Sequence, residues 1–199
     1  MSKSPHTRFR TLAAALIASI CAFALIACGS GDSSDSGAPP PDYAKKLAGS
    51  PPPLAALHKQ GDEVLDGGKE AFDSRIDELE GFPKVVNVWG SWCGPCRAEF
   101  PHFQQASANL GKVVAFLGVD SNDDTASAKD FLDDHQVPYP SYSDHDKEIG
   151  NSIGVTAGIP ATVFFNSEGE QTFTKFGPYT SQEELEADIR TYAIEGKGG

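Results

Sequence analysis

The run Lys84 to Trp89 is apolar, Val-rich and of strand length, and three residues later the chain reads Trp92-Cys93-Gly94-Pro95-Cys96. A C-x-x-C that follows a buried strand and opens a helix is a redox dithiol pattern, and it constrains the fold as well as the chemistry. Two cysteines three apart at a helix start can close a small disulfide. The first thiol sits where unpaired backbone N–H groups and the helix dipole favour a thiolate, which makes Cys93 the nucleophile. Gly94 eases the strand-to-helix bend, and Pro95 is tolerated in a first helical turn.

The rival reading of a C-x-x-C is half of a zinc site, which needs two further Cys or His ligands at matching spacing. The chain has four cysteines, and the other two, Cys21 and Cys28, stand near the amino terminus, with no second C-x-x-C and no H-x-x-x-H. An inert structural disulfide is the other alternative. A loop closed over two intervening residues removes little unfolded-state entropy, so stability is a poor reason to have one.

Residues 1–27 read as a secretory signal, with Lys3, Arg8 and Arg10 ahead of an apolar stretch from Leu12 to Ala27. The stretch ends Leu25-Ile26-Ala27-Cys28, which resembles a bacterial lipobox; that resemblance implies acylation of Cys28 and anchoring to a membrane by lipid. The expected location is extracytoplasmic, at the cell membrane. Cys93 and Cys96 would then be the only free thiols. The formal charge of −12, more negative once the leader's basic residues are lost, argues against nucleic acid as a partner.

Residues 28–53 are rich in Gly, Ser, Asp and Pro and read as a tether, with a reach of about 25 to 30 Å. Residues 54–199 are long enough for one domain with one core. Its start carries helical patterns, Leu54, Leu57, Val64 and Leu65, then Phe72, Ile76 and Leu79 after Gly67-Gly68. A helix is expected over Gly94 to Leu110, kinked or broken early at Pro101, with Gly111 at its C-cap. Val113 to Val119 reads as a second buried strand and Thr125 to His135 as a helix, the order of a right-handed parallel crossover. A partial strand near Ser141 and Tyr142, a hairpin of Ala161–Phe165 and Gln171–Phe176, and a last helix opened by a Ser181/Glu184 capping box complete the series.

Strand, C-x-x-C, helix, strand, helix, then a proline before a hairpin and a final helix, resembles the thioredoxin fold. The segment from Val86 to Pro101 is similar to the active-site stretch of TlpA-like and ResA-like extracytoplasmic thiol-disulfide oxidoreductases. The resemblance implies an α/β fold with a central mixed sheet flanked by helices, here with extra amino-terminal helices. It implies catalysis by Cys93 and Cys96. Asn87 replaces the buried aspartate common in thioredoxins, which removes a carboxylate proton acceptor behind the dithiol. Glu99 matches a glutamate near the cysteines of ResA-like proteins, for which a role in thiol acidity or proton transfer is implied; an ordinary early-helix glutamate is the alternative.

Gly158-Ile159-Pro160-Ala161 resembles the family's cis-proline loop, which offers backbone to an extended substrate. The expected substrate surface is therefore Trp92, Gly94, Pro95, Ile159 and Pro160. No cofactor or metal site is expected. The implied partners are thiols and disulfides of exported proteins, as in cytochrome c maturation, and a membrane electron donor or acceptor. An oxidase or isomerase would use the same site in the other direction. A copper metallochaperone would use both thiolates and a histidine.

Overall fold

The Val-rich run forms the middle of a six-stranded sheet because it is covered on both faces. In the computed structural model, which describes residues 40–199, all six residues of β2 (Lys84–Trp89) are buried. The signal segment, Cys28 and the first part of the tether lie outside the described residues. β2 runs parallel to β3 (Ala115–Ser121) with Lys84 opposite Ala115 and Trp89 opposite Asp120, and antiparallel to β5 (Ala161–Phe165). The sheet order is β1-β4-β3-β2-β5-β6, with β1 (Val64–Leu65), β4 (Ser141–Asp144) and β6 (Gln171–Phe176) completing it.

Strand alternation sends Val85, Asn87 and Trp89 to one face and Val86 and Val88 to the other. The first face packs against α4 (Gly94–Leu110), α5 (Thr125–Asp134) and the carboxyl-terminal helix, α7 (Gln182–Asp188), which continues as a π-helix to Ile194. The second packs against α2 (Pro52–His58), α3 (Gly68–Glu78) and α6 (Glu148–Ser152). The result is the α/β arrangement expected, a mixed sheet between helical layers.

Three differences from the sequence reading have local causes. Val64 and Leu65 are a two-residue strand rather than part of a helix, because Asp62 takes a positive φ after Gly61 and sends the chain alongside Ser141 and Tyr142 of β4. Pro101 does not break α4, which runs on to Leu110. Within the stretch read as tether, where the sequence left local docking of Tyr43 to Leu47 undecided, α1 (Tyr43–Lys46) lies on the domain with Leu47 buried, and α2 already begins at Pro52.

Candidate active site

Cys93 is the N-cap of α4 and Cys96 lies in its first turn, and the two are joined in a disulfide with Cα atoms 5.2 Å apart. The Cys96 backbone N–H points at Cys93 Sγ, 3.2 Å away. That is the N-cap bond a serine or aspartate ordinarily accepts, and it favours negative charge on the sulfur once the disulfide opens. Both cysteines are buried, within the core cluster that includes Trp89, Phe100 and Phe103. Gly94 and Pro95, between the two cysteines, are exposed.

Glu99 is fully buried and lies one turn beyond Cys96 on α4. Asn87 donates its side-chain N–H to Glu99 Oε1 at 2.9 Å, and the Tyr179 backbone N–H donates to Oε2 at 3.0 Å. Burial pushes the Glu99 carboxyl up to about 7, with the two hydrogen bonds and nearby Lys175 opposing the rise. A carboxyl poised near neutrality can take or give a proton in this apolar site. The amide at position 87 therefore holds a carboxylate belonging to the facing helix. Strand parity carried the missing signal: Asn87 shares a face with Val85 and Trp89, and α4 covers that face.

The peptide bond between Ile159 and Pro160 is cis. Pro160 is buried, and Ile159 is half-buried against the cluster that holds the cysteines. A groove of about 120 Å³ runs between Trp92 and Gly158-Ile159, with Asn122, Lys147 and Val155 along its wall. Trp92 is 58% exposed, yet its indole N–H donates to the Asn122 carbonyl at 3.2 Å. A Cβ on Gly90 would lie 2.8 Å from the Trp92 Nε1, so only glycine leaves room for that ring. Trp89 is core, with its Nε1 donating to Ser141 Oγ at 3.1 Å.

Among the described residues no group of three or more His, Cys, Asp or Glu is placed to hold a metal ion. The histidines have local roles: His135 stacks on Phe131 with ring centroids 4.1 Å apart, and His145 Nδ1 lies 3.2 Å from the Asp123 carbonyl. Sequence reasoning missed Asp120 and Asp123. The stretch Asp120 to Asp124 reads only as polar in the sequence, but both are buried, Asp120 at the end of β3 and Asp123 against the Ser91 N–H.

Known proteins resemble the chain over this same region. The Redoxin family matches residues 59–189. The thiol:disulfide interchange protein DsbE of Pseudomonas aeruginosa is 39% identical over 93 residues, 46% of this chain and 49% of that protein, so the match spans about half of that relative. DsbE of Escherichia coli K12 is 30% identical over 160 residues, covering 78% of this chain and 81% of the relative. The thiol-disulfide oxidoreductase ResA of Halalkalibacterium halodurans is 27% identical over 131 residues, 64% and 74% of the two chains. Among solved structures, a secreted Mycobacterium tuberculosis disulfide oxidoreductase homologous to E. coli DsbE superposes with a TM-score of 0.51 at 28% identity, over 57% of this chain and 84% of that one.

Proposed function

The chain belongs to the Redoxin family and, within the thioredoxin superfamily, to the DsbE/ResA-like thiol-disulfide oxidoreductases, and from that premise we propose that it reduces disulfides of exported proteins while tethered to a membrane. The observation that carries the reading is the Cys93–Cys96 pair at the mouth of α4, with the Cys96 N–H directed at Cys93 Sγ.

In the reduced enzyme the Cys93 thiolate attacks one sulfur of a substrate disulfide. A mixed disulfide forms, and the other substrate sulfur leaves as a thiolate that takes a proton. Cys96 then loses its proton and attacks Cys93 Sγ, releasing the second substrate thiol and leaving Cys93–Cys96 oxidised. Two electrons pass to the substrate. Glu99, on the same helix as Cys96 and poised near neutrality, is the proton acceptor for that second step. The cis-Pro160 loop and the Trp92 groove hold the extended substrate by its backbone. A membrane dithiol donor returns the two electrons, and a lipid on Cys28 keeps the domain within reach of it. Apocytochrome c, whose haem-binding cysteines must be reduced, is a substrate of the required kind.

The test is covalent trapping. Cys93→Ser should abolish turnover, whereas Cys96→Ser should accumulate a mixed disulfide with substrate, seen as a thiol-sensitive mass shift. A Cys96→Ser enzyme that turns over at the normal rate would rule out this mechanism.

A further inference from the structure

Asn87 has one end of its amide in use and the other end idle. Its Nδ2 donates to Glu99 Oε1 at 2.9 Å, while its Oδ1 is buried with no hydrogen-bond partner among the described residues. Its neighbours across the sheet are Gly118 on β3, which has no side chain, and Thr162 on β5. Directly opposed residues of an antiparallel pair point to the same face, with Cβ atoms about 4.5–5.5 Å apart. Thr162 is fully buried, and among the described residues its Oγ1 is likewise without a partner. An amide and a hydroxyl, each able to donate and to accept, therefore stand side by side behind Glu99.

Both Glu99 oxygens face donors, the Asn87 amide on Oε1 and the Tyr179 backbone N–H on Oε2, which suits a carboxylate. A protonated Glu99 needs an acceptor for its O–H, because a buried hydroxyl without one is costly. The Tyr179 N–H is fixed in the backbone and offers none. The Asn87 amide offers one by turning over, which exchanges Nδ2 for the idle Oδ1. We propose that Asn87 is a reversible partner for Glu99, donating to the carboxylate and inverting to accept from the acid, and so the positioning residue that keeps Glu99 paired before and after it takes the Cys96 proton. The Nδ2 carried round by the inversion then faces Thr162 Oγ1. An ionised aspartate at position 87 could not donate to the carboxylate at all. This role of Asn87 rests on Glu99 as the acceptor of the Cys96 proton; because it is tested without substrate, it can fail while covalent trapping through Cys93 still succeeds.

The surroundings let Glu99 change state near neutrality. Burial is the largest influence and pushes its carboxyl up to about 7, while the Tyr179 and Asn87 hydrogen bonds and Lys175 on β6 oppose the rise. Tyr139, ahead of β4, and Tyr179, ahead of α7, feel its charge, but burial keeps both phenols neutral. On its own helix, Cys93 and Cys96 do not titrate while joined as a disulfide. Asp120, opposite Trp89 at the end of β3, is set by burial and by Asp123, Asp124 and Asp144.

The experiment is a pH titration of the oxidised full-length protein, followed by NMR of the Asn87 side-chain amide from about pH 5 to about pH 9. The Asn87 Nδ2 shift should step with a midpoint of about 7, where the Glu99 carboxyl carbon steps as well. Above the step the amide protons should show nuclear Overhauser contacts to Glu99, and below it to the Thr162 methyl. Glu99→Gln should abolish the step, and Asp120→Asn should leave it. No step, a step whose contacts stay with Glu99 throughout, one that survives Glu99→Gln or one lost in Asp120→Asn overturns the proposal. Should either variant not fold, the wild-type Glu99 carboxyl carbon carries the test, and a midpoint different from that of the Asn87 amide overturns the proposal.

Discussion

Glu99 shows how one residue's surroundings set its chemistry. Its carboxyl is raised from 4.5 to about 7, so the folded protein holds a proton there that the unfolded chain releases at lower pH. The associated stability is fully present below about 4.5 and is lost as pH rises through about 7. Between pH 5 and pH 8 this group alone removes roughly 2–3 kcal/mol. Glu99→Gln should flatten that part of the slope, read by denaturant unfolding of the oxidised protein at the two pH values; an equal slope in the variant would show that Glu99 does not titrate there. Gly118 is set by space instead. A Cβ would overlap the Ser141 side chain and come within 3.0 Å of Trp89 Nε1, so Gly118→Ala should cost about 1–3 kcal/mol by overpacking, seen as a lower denaturation midpoint. The C-x-x-C spacing singled out the cysteines, and resemblance to ResA-like proteins pointed to Glu99. Neither disclosed the Asn87–Glu99 bond, which depends on which strand face α4 covers.

At the scale of elements, α4 carries the site because its inner face is bound to the sheet by an aromatic cluster. Phe100 meets Phe131 at 4.7 Å and Trp89 at 5.2 Å, both edge to face, and it directly follows Glu99. Phe100→Ala should destabilise the domain by about 3–5 kcal/mol, measured by equilibrium unfolding. A loss below about 1 kcal/mol would mean that α4 is held elsewhere. Elements with a strong local signal were legible. β2, β5 and β6 run over the residues their patterns marked, because buried runs and a turn bounded them. The Ser181 cap forms too, but Glu184 reaches back to the Thr180 N–H rather than to Ser181. β1 and α6 were not legible: a two-residue strand exists only through its pairing with β4, and α6 starts from Lys147 in a left-handed conformation that no periodicity announces.

For the whole molecule, the fold brings four separate stretches of sequence to one end of the sheet: the Cys93–Cys96 turn, the Asn122–Asp124 loop after β3, the Lys147–Val155 wall and the cis-Pro160 loop. Such an assembly suits disulfide exchange in either direction, and the direction follows from the relative stability of the dithiol and the disulfide. The central claim is reduction. Its most direct test is the reduction potential of the Cys93–Cys96 couple, equilibrated in thiol-disulfide buffers and followed by tryptophan fluorescence, since Trp89 and Trp92 both flank the pair. The account predicts a value near or below about −270 mV, that of a reductant recharged by a membrane donor. A value near about −120 mV would contradict it and make the same site an oxidase.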